Sequence, residues 1–496
     1  MTPLDVTRAA LAGERAWLVG GALRDRLLGR VVDDLDLVVE GDVRAAAKRL
    51  ARAAGGPVFE LSGEFGAWRV LARDRSWQAD LSPLRGPTLE DDLALRDFTI
   101  NAMAEPLARA EGPEPRRGGV AEARGASAPP GGGVAEPRSG DVVDPFGGAR
   151  DLEARTLRAV GPRSFPDDPL RILRLARLAC ELDLRADPAT LRAAAAHAPA
   201  LERVSPERVF AELKRVVLAQ RALDGIALLD ETGALGVVLP ELTALRGVEQ
   251  TVYHHRDAYG HTLEVLERAI EVERDPAAAL GDDALGARAE ALLREPLGDE
   301  VDRGGGLRFA ALLHDVGKAQ TQTPNAKGGF GFPGHDTLGD RMVRDILTRL
   351  RTSERLRAHV AALTRHHLEP GFLVHARPLT ARTVHGYLKA SEPVAADTLL
   401  LSVADRLATR GRKHDEAIAK HLELVRELLA PALDWHDHGP PPPLVRGDEL
   451  ARELDVEPGP ELGRLLGELA EAQYAGEIAT REDAISFAAA RLRARR

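Results

Sequence analysis

Between Trp17 and Asp36 the chain reads WLVGGALRDRLLGRVVDDLD, and this stretch constrains the fold more than any other. Trp17-Leu18-Val19 suits a buried strand and Gly20-Gly21 a turn in which no Cβ obstructs a ligand. Ala22 to Leu28 suits a short helix whose N–H groups face that turn, a cradle for phosphate. After a second turn at Gly29-Arg30 come the β-branched Val31-Val32, then Asp34-Leu35-Asp36 and Leu37-Val38-Val39. Alternation along a strand puts Asp34 and Asp36 on one face with Leu35 turned away. Two carboxylates then converge where a nucleotide's phosphates would lie. Hard cations such as Mg²⁺ bind through one or two carboxylates plus phosphate oxygens, and a pair of them can activate an attacking hydroxyl and stabilise a leaving pyrophosphate.

With 496 residues the chain has room for three or four such units, and scarce aromatics beside abundant Ala, Leu and Arg favour helices after the first. Cys180, the one cysteine, excludes an internal disulfide and suits a reducing cytosol. There is no N-terminal apolar h-region and no run near the ~18 apolar residues of a membrane span, so a soluble cytoplasmic protein with no membrane partner is expected. A formal charge of −10 argues against a generally basic surface. Net charge speaks to steering and solubility, so a nucleic-acid partner has to be argued from local sites.

Along the chain, Val43 to Ala53 reads as a helix and Pro57-Val58-Phe59 as a strand. Phe65 to Leu71 and Trp77 to Leu81 read as strands paired around the turn at Arg73 to Ser76, with Asp80 a third candidate carboxylate. Leu89 to Ala104, acidic at Glu90 to Asp92 and then apolar at helical spacing, reads as one helix carrying Arg96, Asp97 and Asn101. Arg109 to Gly140 is Gly, Pro, Ala, Glu and Arg with a near-repeat, a composition that cannot offset chain entropy by burial and is expected to be disordered. Phe165 to Arg177 reads as a helix with Asp168 near its N-cap and Asp168 and Arg171 on one face. Cytosine and adenine share an exocyclic amino donor beside a ring-nitrogen acceptor, an edge that a carboxylate plus a guanidinium complements. From Arg158 to about Leu239 the pattern stays helical. Arg171, Arg174, Arg177, Arg208, Lys214 and Arg215 are candidates for contacts with RNA phosphates.

Further on, His261, His314-Asp315, His335, His366-His367 and Asp405 fall in helical surroundings, and imidazole plus carboxylate suits a transition metal or Mg²⁺. Asp275 to Gly306, between the first two, is expected at the surface. Asp437 to Pro443 is a Pro-rich linker. The tail beyond reads as helical, with Gly459-Pro460 opening a helix and Arg491, Arg493, Arg495 and Arg496 making a basic end.

Gly20-Gly21, Arg24-Asp25, Leu27-Leu28-Gly29 and Asp34-x-Asp36, in this order and spacing, resemble the nucleotidyltransferase motif of the tRNA nucleotidyltransferase/poly(A) polymerase family. The resemblance implies that Asp34, Asp36 and Asp80 hold Mg²⁺ and that Gly20, Gly21 and Arg24 line the nucleotide. Leu89 to Ala104 resembles the family's second motif, which implies Arg96 on phosphate and Asp97 with Asn101 on the ribose; Leu95 stands where that motif usually has a first arginine. Asp167-Asp168-x-x-Arg171 resembles the family's templating motif, with Asp167 in place of Glu, which implies that Asp168 and Arg171, with Arg174 nearby, select the base.

The histidine and aspartate set resembles the HD phosphohydrolase superfamily. It implies that His261, His314, Asp315 and Asp405 hold one metal (Mg²⁺, Mn²⁺ or Ni²⁺), with His335 and His367 completing or extending the site, and that water is activated there to hydrolyse a phosphoester. His367, followed by Leu368, is the choice over His366.

The resemblance runs from about residue 15 to the C-terminus, across two insertions. It implies an α/β nucleotidyltransferase (polymerase β-like) head with a mixed β-sheet at 1–157 and an all-α neck at 158–240. An HD body at 241–436 and a linker with a helical RNA-binding tail at 437–496 follow. The implied activity is template-independent addition of CMP and AMP from CTP and ATP to tRNA 3′ ends. The motifs leave open A-only or CC-only addition, poly(A) synthesis, and a principal HD phosphohydrolase with an RNA-binding head. Oligomeric state is not legible.

Overall fold

The computed structural model describes residues 1–63, 66–108, 142–250, 256–325, 329–409 and 414–495; the insertion read at 109–140, Phe65 and Arg496 lie outside the described residues. The chain divides into two compact units, Met1–Leu201 and Glu202–Arg496. No helix among the described residues is long and apolar enough to cross a membrane.

The first unit is built on a six-stranded mixed sheet made of β1 (Ala16–Val19), β2 (Asp34–Val39), β3 (Val58–Ser62), β4 (Ala67–Leu71), β5 (Gln78–Pro83) and β6 (Ala104–Pro106), in the order β3-β4-β5-β2-β1-β6. β2 and β5 run parallel and the other pairs antiparallel. In β2, Leu35 and Leu37 are buried in the core while Asp34 and Asp36 alternate onto the other face. Val31-Val32 falls outside the strand, and Val31 is 92% exposed. Pairing begins only at Asp34, opposite Gln78, so the β-branched pair has no ladder to join.

Helix α1 (Gly20–Leu27) begins at Gly20 itself, so the expected turn is the first turn of the helix. Helix α2 (Val43–Ala54) is capped by Asp42, which accepts from Ala45 N at 2.9 Å, and is ended by Gly55 in the left-handed region. It buries Val43, Ala46, Ala47 and Leu50 on one stripe.

Two expected helices are broken. Leu89 to Ala104 forms α3 (Leu89–Ala94), opened by a Thr88–Asp91 capping box, then a turn, a 3₁₀ segment Thr99–Asn101 and β6. Long-range bonds outcompete the helix here: Thr99 N donates to Arg158 O at 2.9 Å, Val160 N to Asp97 O at 3.2 Å, and Phe98 and Ile100 are fully buried. Phe165 to Arg177 is interrupted at Asp168, which is extended (φ −148°, ψ 100°) because it precedes Pro169; α4 then runs over Arg171–Leu182.

The second unit is helical. Its middle is formed by α5 (Ala258–Arg274), α6 (Arg303–Leu313), α7 (His335–Arg349), α8 (Glu354–His366) and α9 (Ala395–Leu407). The segment Asp275 to Gly306 is not a surface insertion: Leu280, Ala289, Leu292, Leu297, Val301 and Gly304 to Gly306 are buried. Gly306 lets the start of α6 approach α8, since a Cβ there would stand 3.0 Å from the His359 ring. At these helix starts Arg303 forks onto Asp397 (3.0 and 2.5 Å), and His359 Nε2 lies 3.5 Å from the same carboxylate, all three buried. Three helices are thereby tied together 8 to 12 residues before the side chains they present at their other ends. The tail helices Gly447–Leu454, Pro460–Tyr474 and Arg481–Arg495 close over a small core of their own that includes Leu450, Leu465, Leu469, Ala484 and Ala488. Arg491 and Arg495 of its basic end both pair with Glu468.

Candidate functional site

In the first unit, strand pairing assembles the carboxylates. The parallel register sets Asp36 beside Asp80, with Asp34 two residues away on the same face. Gly20, at φ +66°, brings the backbone so close that a Cβ there would lie 2.9 Å from Arg96 Nη1 and 3.1 Å from Asp36 Oδ2. One backbone turn, one guanidinium and the Asp pair thus share a small space. Burial, and then the Asp34 charge, push the Asp36 carboxyl up to about 6, and burial also raises Asp34. Crowded carboxylates of this kind gain from a divalent cation, so the donor set fits Mg²⁺. Asp80 is engaged differently, forking onto Arg69 at 2.7 Å through both oxygens. Arg69 was not among the sequence candidates. It was legible, because the hairpin turn at Arg73 to Ser76 pairs Arg69 with Asp80 once Leu71 faces Gln78.

A hydrogen-bonded chain runs behind this space. Buried Arg24 donates from Nη1 to Asn101 Oδ1 at 2.8 Å and forks onto Asp25. Asn101 Nδ2 donates to Asp97 Oδ1 at 3.0 Å, and Asp97 Oδ2 receives Arg174 Nε at 2.8 Å. Asp97 and Asn101 therefore meet although no helix joins them. Burial would raise Asp97, but the Arg174 charge and the Asn101 and Phe98 hydrogen bonds outweigh it and hold it at about 2.

Arg96 donates to the buried Asp92 at 3.2 and 3.3 Å. Arg171 spends three N–H bonds on the carbonyls of Leu95, Arg96 and Ser164, leaving Nε and one Nη2 hydrogen outside these bonds. Asp168 precedes α4, its carboxylate accepting from Leu170 N at 3.2 Å. Of the other expected RNA contacts, Arg177 is buried and Lys214 pairs with Glu300 at 2.8 Å, whereas Arg208 and Arg215 are exposed.

In the second unit the six expected metal ligands come together, in two groups. His261, His314 and Asp405 offer ligand atoms within 4.8 Å of one another, and so do Asp315, His335 and His367. Asp315 lies between the two groups: its Oδ2 is 3.2 Å from His314 Nε2 and 4.0 Å from His261 Nε2, and its Oδ1 is 3.5 Å from His335 Nε2. His261 Nε2 is 3.0 Å from Asp405 Oδ1. His366, by contrast, turns its Nδ1 to Glu369 at 2.7 Å.

Local structure explains the ring orientations. His314 and His367 stand just past the C-termini of α6 and α8, where the last carbonyls lack helical partners. Their Nδ1 atoms lie 2.9 Å from Ala311 O and 2.7 Å from Thr364 O, and His335 Nδ1 lies 2.8 Å from Phe332 O. A carbonyl only accepts, so Nδ1 carries a proton, and each ring when neutral offers its Nε2 lone pair inward, the tautomer that a metal needs. Burial, then the neighbouring His314, push His367 down to about 3. Burial would raise Asp315 and Asp405, but their histidine neighbours, with Lys318 at Asp315, hold both well below the carboxylate range. Lys318, whose Nζ is 2.6 Å from Asp315 Oδ2, is a site residue missed in the sequence; its place three residues after Asp315 was the available signal.

A family model described as the poly A polymerase head domain matches residues 16–86, one described as a probable RNA and SrmB-binding site of polymerase A matches 183–245, and an HD domain model matches 258–410. An A-adding tRNA nucleotidyltransferase of Deinococcus radiodurans is 34% identical over 479 residues, 95% of this chain and 94% of its own length. A CC-adding tRNA nucleotidyltransferase of Thermus thermophilus is 32% identical over 480 residues, 95% and 92% of the two chains. A multifunctional CCA protein of Halorhodospira halophila is 34% identical over 378 residues, 73% and 75%. Among solved structures, a CCA-adding enzyme complexed with ATP superposes with TM-score 0.62 at 20% identity, covering 99% of this chain and 95% of its own. The Thermotoga maritima CCA-adding enzyme complexed with tRNA gives 0.59 at 19% identity, covering 98% and 95%. The shared fold is a polymerase β-like head with a mixed sheet, followed by a helical body.

Proposed function

This chain belongs to the tRNA nucleotidyltransferase/poly(A) polymerase family and carries an HD domain, and from that premise we propose the following division of labour among its residues. The head, residues 1–157, transfers CMP and AMP from CTP and ATP to the 3′ end of tRNA without a nucleic-acid template. Asp34 and Asp36, with Asp80 beside them, would hold Mg²⁺, which when bound offsets triphosphate charge and favours attack by the RNA 3′-hydroxyl on the α-phosphate. Arg96 and the backbone at Gly20-Gly21 take the triphosphate. Asp97 and Asn101 hold the ribose, kept in place by Arg24 and Arg174. Asp168 and the free donors of Arg171 read the amino-bearing edge of cytosine or adenine. The neck at 158–240 and the tail at 437–496 hold the RNA, and the HD body at 241–436 hydrolyses a phosphoester with Mg²⁺, Mn²⁺ or Ni²⁺. Work in the cytoplasm suits a chain with one cysteine.

The observation that carries the head assignment is the approach of Gly20, Asp36 and Arg96 within one van der Waals shell, beside Asp34 and Asp80. A second reading has its own support. Three relatives that align over 95% or more of the chain are an A-adding enzyme and two CC-adding enzymes, so restricted addition is the alternative to full CCA synthesis. One assay separates them: purified protein with tRNAs lacking the whole CCA end, lacking CA, or lacking only the final A, offered each nucleoside triphosphate in turn. Full synthesis extends all three, an A-adder only the last, and a CC-adder stops one nucleotide short. Absence of extension on every tRNA refutes the proposal.

A further inference from the structure

We infer that Arg85 is a further binding residue for the nucleoside triphosphate, gripping its β- and γ-phosphates beside Arg96 and positioned for this by Asp92. This rests on the reading of the head as a nucleotidyltransferase and adds a residue to its phosphate contacts. Asp92 is buried, its side chain 1% exposed, yet it does not cap the helix it stands in. The start of α3 is closed by Thr88 and Asp91, which satisfy each other. Both oxygens of Asp92 turn instead to guanidiniums. Oδ1 accepts from Arg85 Nε at 3.1 Å and from Arg85 N at 3.2 Å, and Oδ2 accepts from Arg96 at 3.2 and 3.3 Å. One carboxylate thus holds two cations and leaves a positive charge in excess.

Gly86 brings the loop after β5 against α3, since a Cβ there would stand 2.6 Å from Asp91 Cβ. With its N and Nε both tied to Asp92, Arg85 is fixed at the base while its head stays open. Among the described residues its Nη1 and Nη2 meet no acceptor, and the side chain is 47% exposed. Such an arginine is ordinary on a surface, but the place in which Asp92 holds it is not. Arg96, on the other oxygen of Asp92, has its Nη1 2.9 Å from where a Cβ of Gly20 would stand, in the space shared with Asp36. Arg171 is near enough to feel Arg85: burial lowers its pKa, Asp97 and Asp168 oppose this, and the charges of Arg174 and Arg85 add to it. Converging guanidiniums repel one another unless an anion comes between them. A triphosphate fits, because neighbouring arginine forks take its oxygens in pairs. Attack on the α-phosphate falls at Asp34 and Asp36, so a guanidinium one carboxylate beyond Arg96 meets the β- and γ-phosphates. Leu95, where the second motif usually has an arginine, offers no such donor, and the second guanidinium of this chain comes from the loop after β5.

The test compares CTP with CMP on the full chain, by equilibrium dialysis without RNA (CMP by competition) and by steady-state addition to tRNA. Loss of one charge-assisted contact from a half-exposed side chain should weaken CTP about tenfold in Arg85→Ala and leave CMP unchanged. KM for CTP should rise while KM for tRNA stays near wild type. Arg85→Lys should recover part of the loss, since it restores the charge without the fork. Asp92→Asn, which loosens both arginines, should weaken CTP more than Arg85→Ala does. Unchanged CTP affinity in Arg85→Ala overturns the inference. So does an equal loss for CTP and CMP, the sign of a general defect, and so does a rise in KM for tRNA alone, which would put Arg85 on RNA. Should Arg85→Ala fail to fold, Arg85→Gln, which keeps the stem and removes the charge, decides by the same comparison. Wild-type chain that binds CTP and adds nucleotides, with variants that match it, leaves the head reading standing and removes only Arg85. Wild-type chain that does neither overturns both.

Discussion

Replacing Asp97 by Asn should weaken the first unit by about 2 kcal/mol at neutral pH and impair nucleotide addition. Asp97 is 6% exposed and receives Arg174, Asn101 and the Phe98 N–H, so its carboxyl is held at about 2 against 3.8 for the free side chain. A depressed native pKa means that the unfolded chain binds the proton more tightly. The ionised group therefore contributes its full stabilisation above pH 3.8 and loses it as pH falls through 2. At about 1.4 kcal/mol per unit, the shift corresponds to roughly 2 kcal/mol, and the neutral amide forfeits it while facing a donor toward Arg174. Urea unfolding followed by tryptophan fluorescence reports chiefly on this unit, because Trp17, Trp68 and Trp77 lie in it and Trp435 in the other. The difference between Asp97→Asn and wild type should shrink toward about 1 kcal/mol by pH 3. A loss that is the same at pH 7 and pH 3, or below about 0.5 kcal/mol at pH 7, would refute the charge-based account and leave Asp97 an ordinary polar contact.

Asp34→Ala or Asp36→Ala should abolish nucleotide addition while circular dichroism and the unfolding midpoint stay near wild type, since both lie on the face of β2 away from the core; robust incorporation by either would move the chemistry elsewhere. Arg171→Ala should raise misincorporation of UMP and GMP relative to CMP and AMP more than it slows addition, and unchanged selectivity would argue against base reading from α4. In the second unit His359 is pushed down to about 4 by burial, so it contributes stability above the free-histidine pKa of 6.5 that is lost as pH falls toward 4. About 2 kcal/mol of the stability lost between pH 7 and pH 5 in a urea titration should come from this residue, and His359→Gln should remove that share of the dependence. Leu50→Ala, emptying a fully buried position of α2, should cost about 2–5 kcal/mol by the same fluorescence titration without altering base selectivity.

Features that depend on neighbours in sequence were legible from sequence. Alternation along β2 put Asp34 and Asp36 together, composition marked the helical second half, and the order of histidines and aspartates pointed to one metal-binding body. Decisions that needed distant partners were not. Leu89 to Ala104 has helical spacing, yet Thr99 and Asp97 find backbone partners near residue 160, and those bonds end the helix after Ala94. Asp275 to Gly306 looked peripheral because it is small and polar, but Gly304 to Gly306 are small in order to pack against Glu273, Leu218 and His359. That Arg171 is held by carbonyls 75 and 76 residues away follows from loop closure. The sequence by itself determined which side chains are available for each chemistry. Only the tertiary structure decided how they are shared out, above all which oxygen of Asp315 faces which histidines, because that depends on where separately folded helices end relative to one another in space.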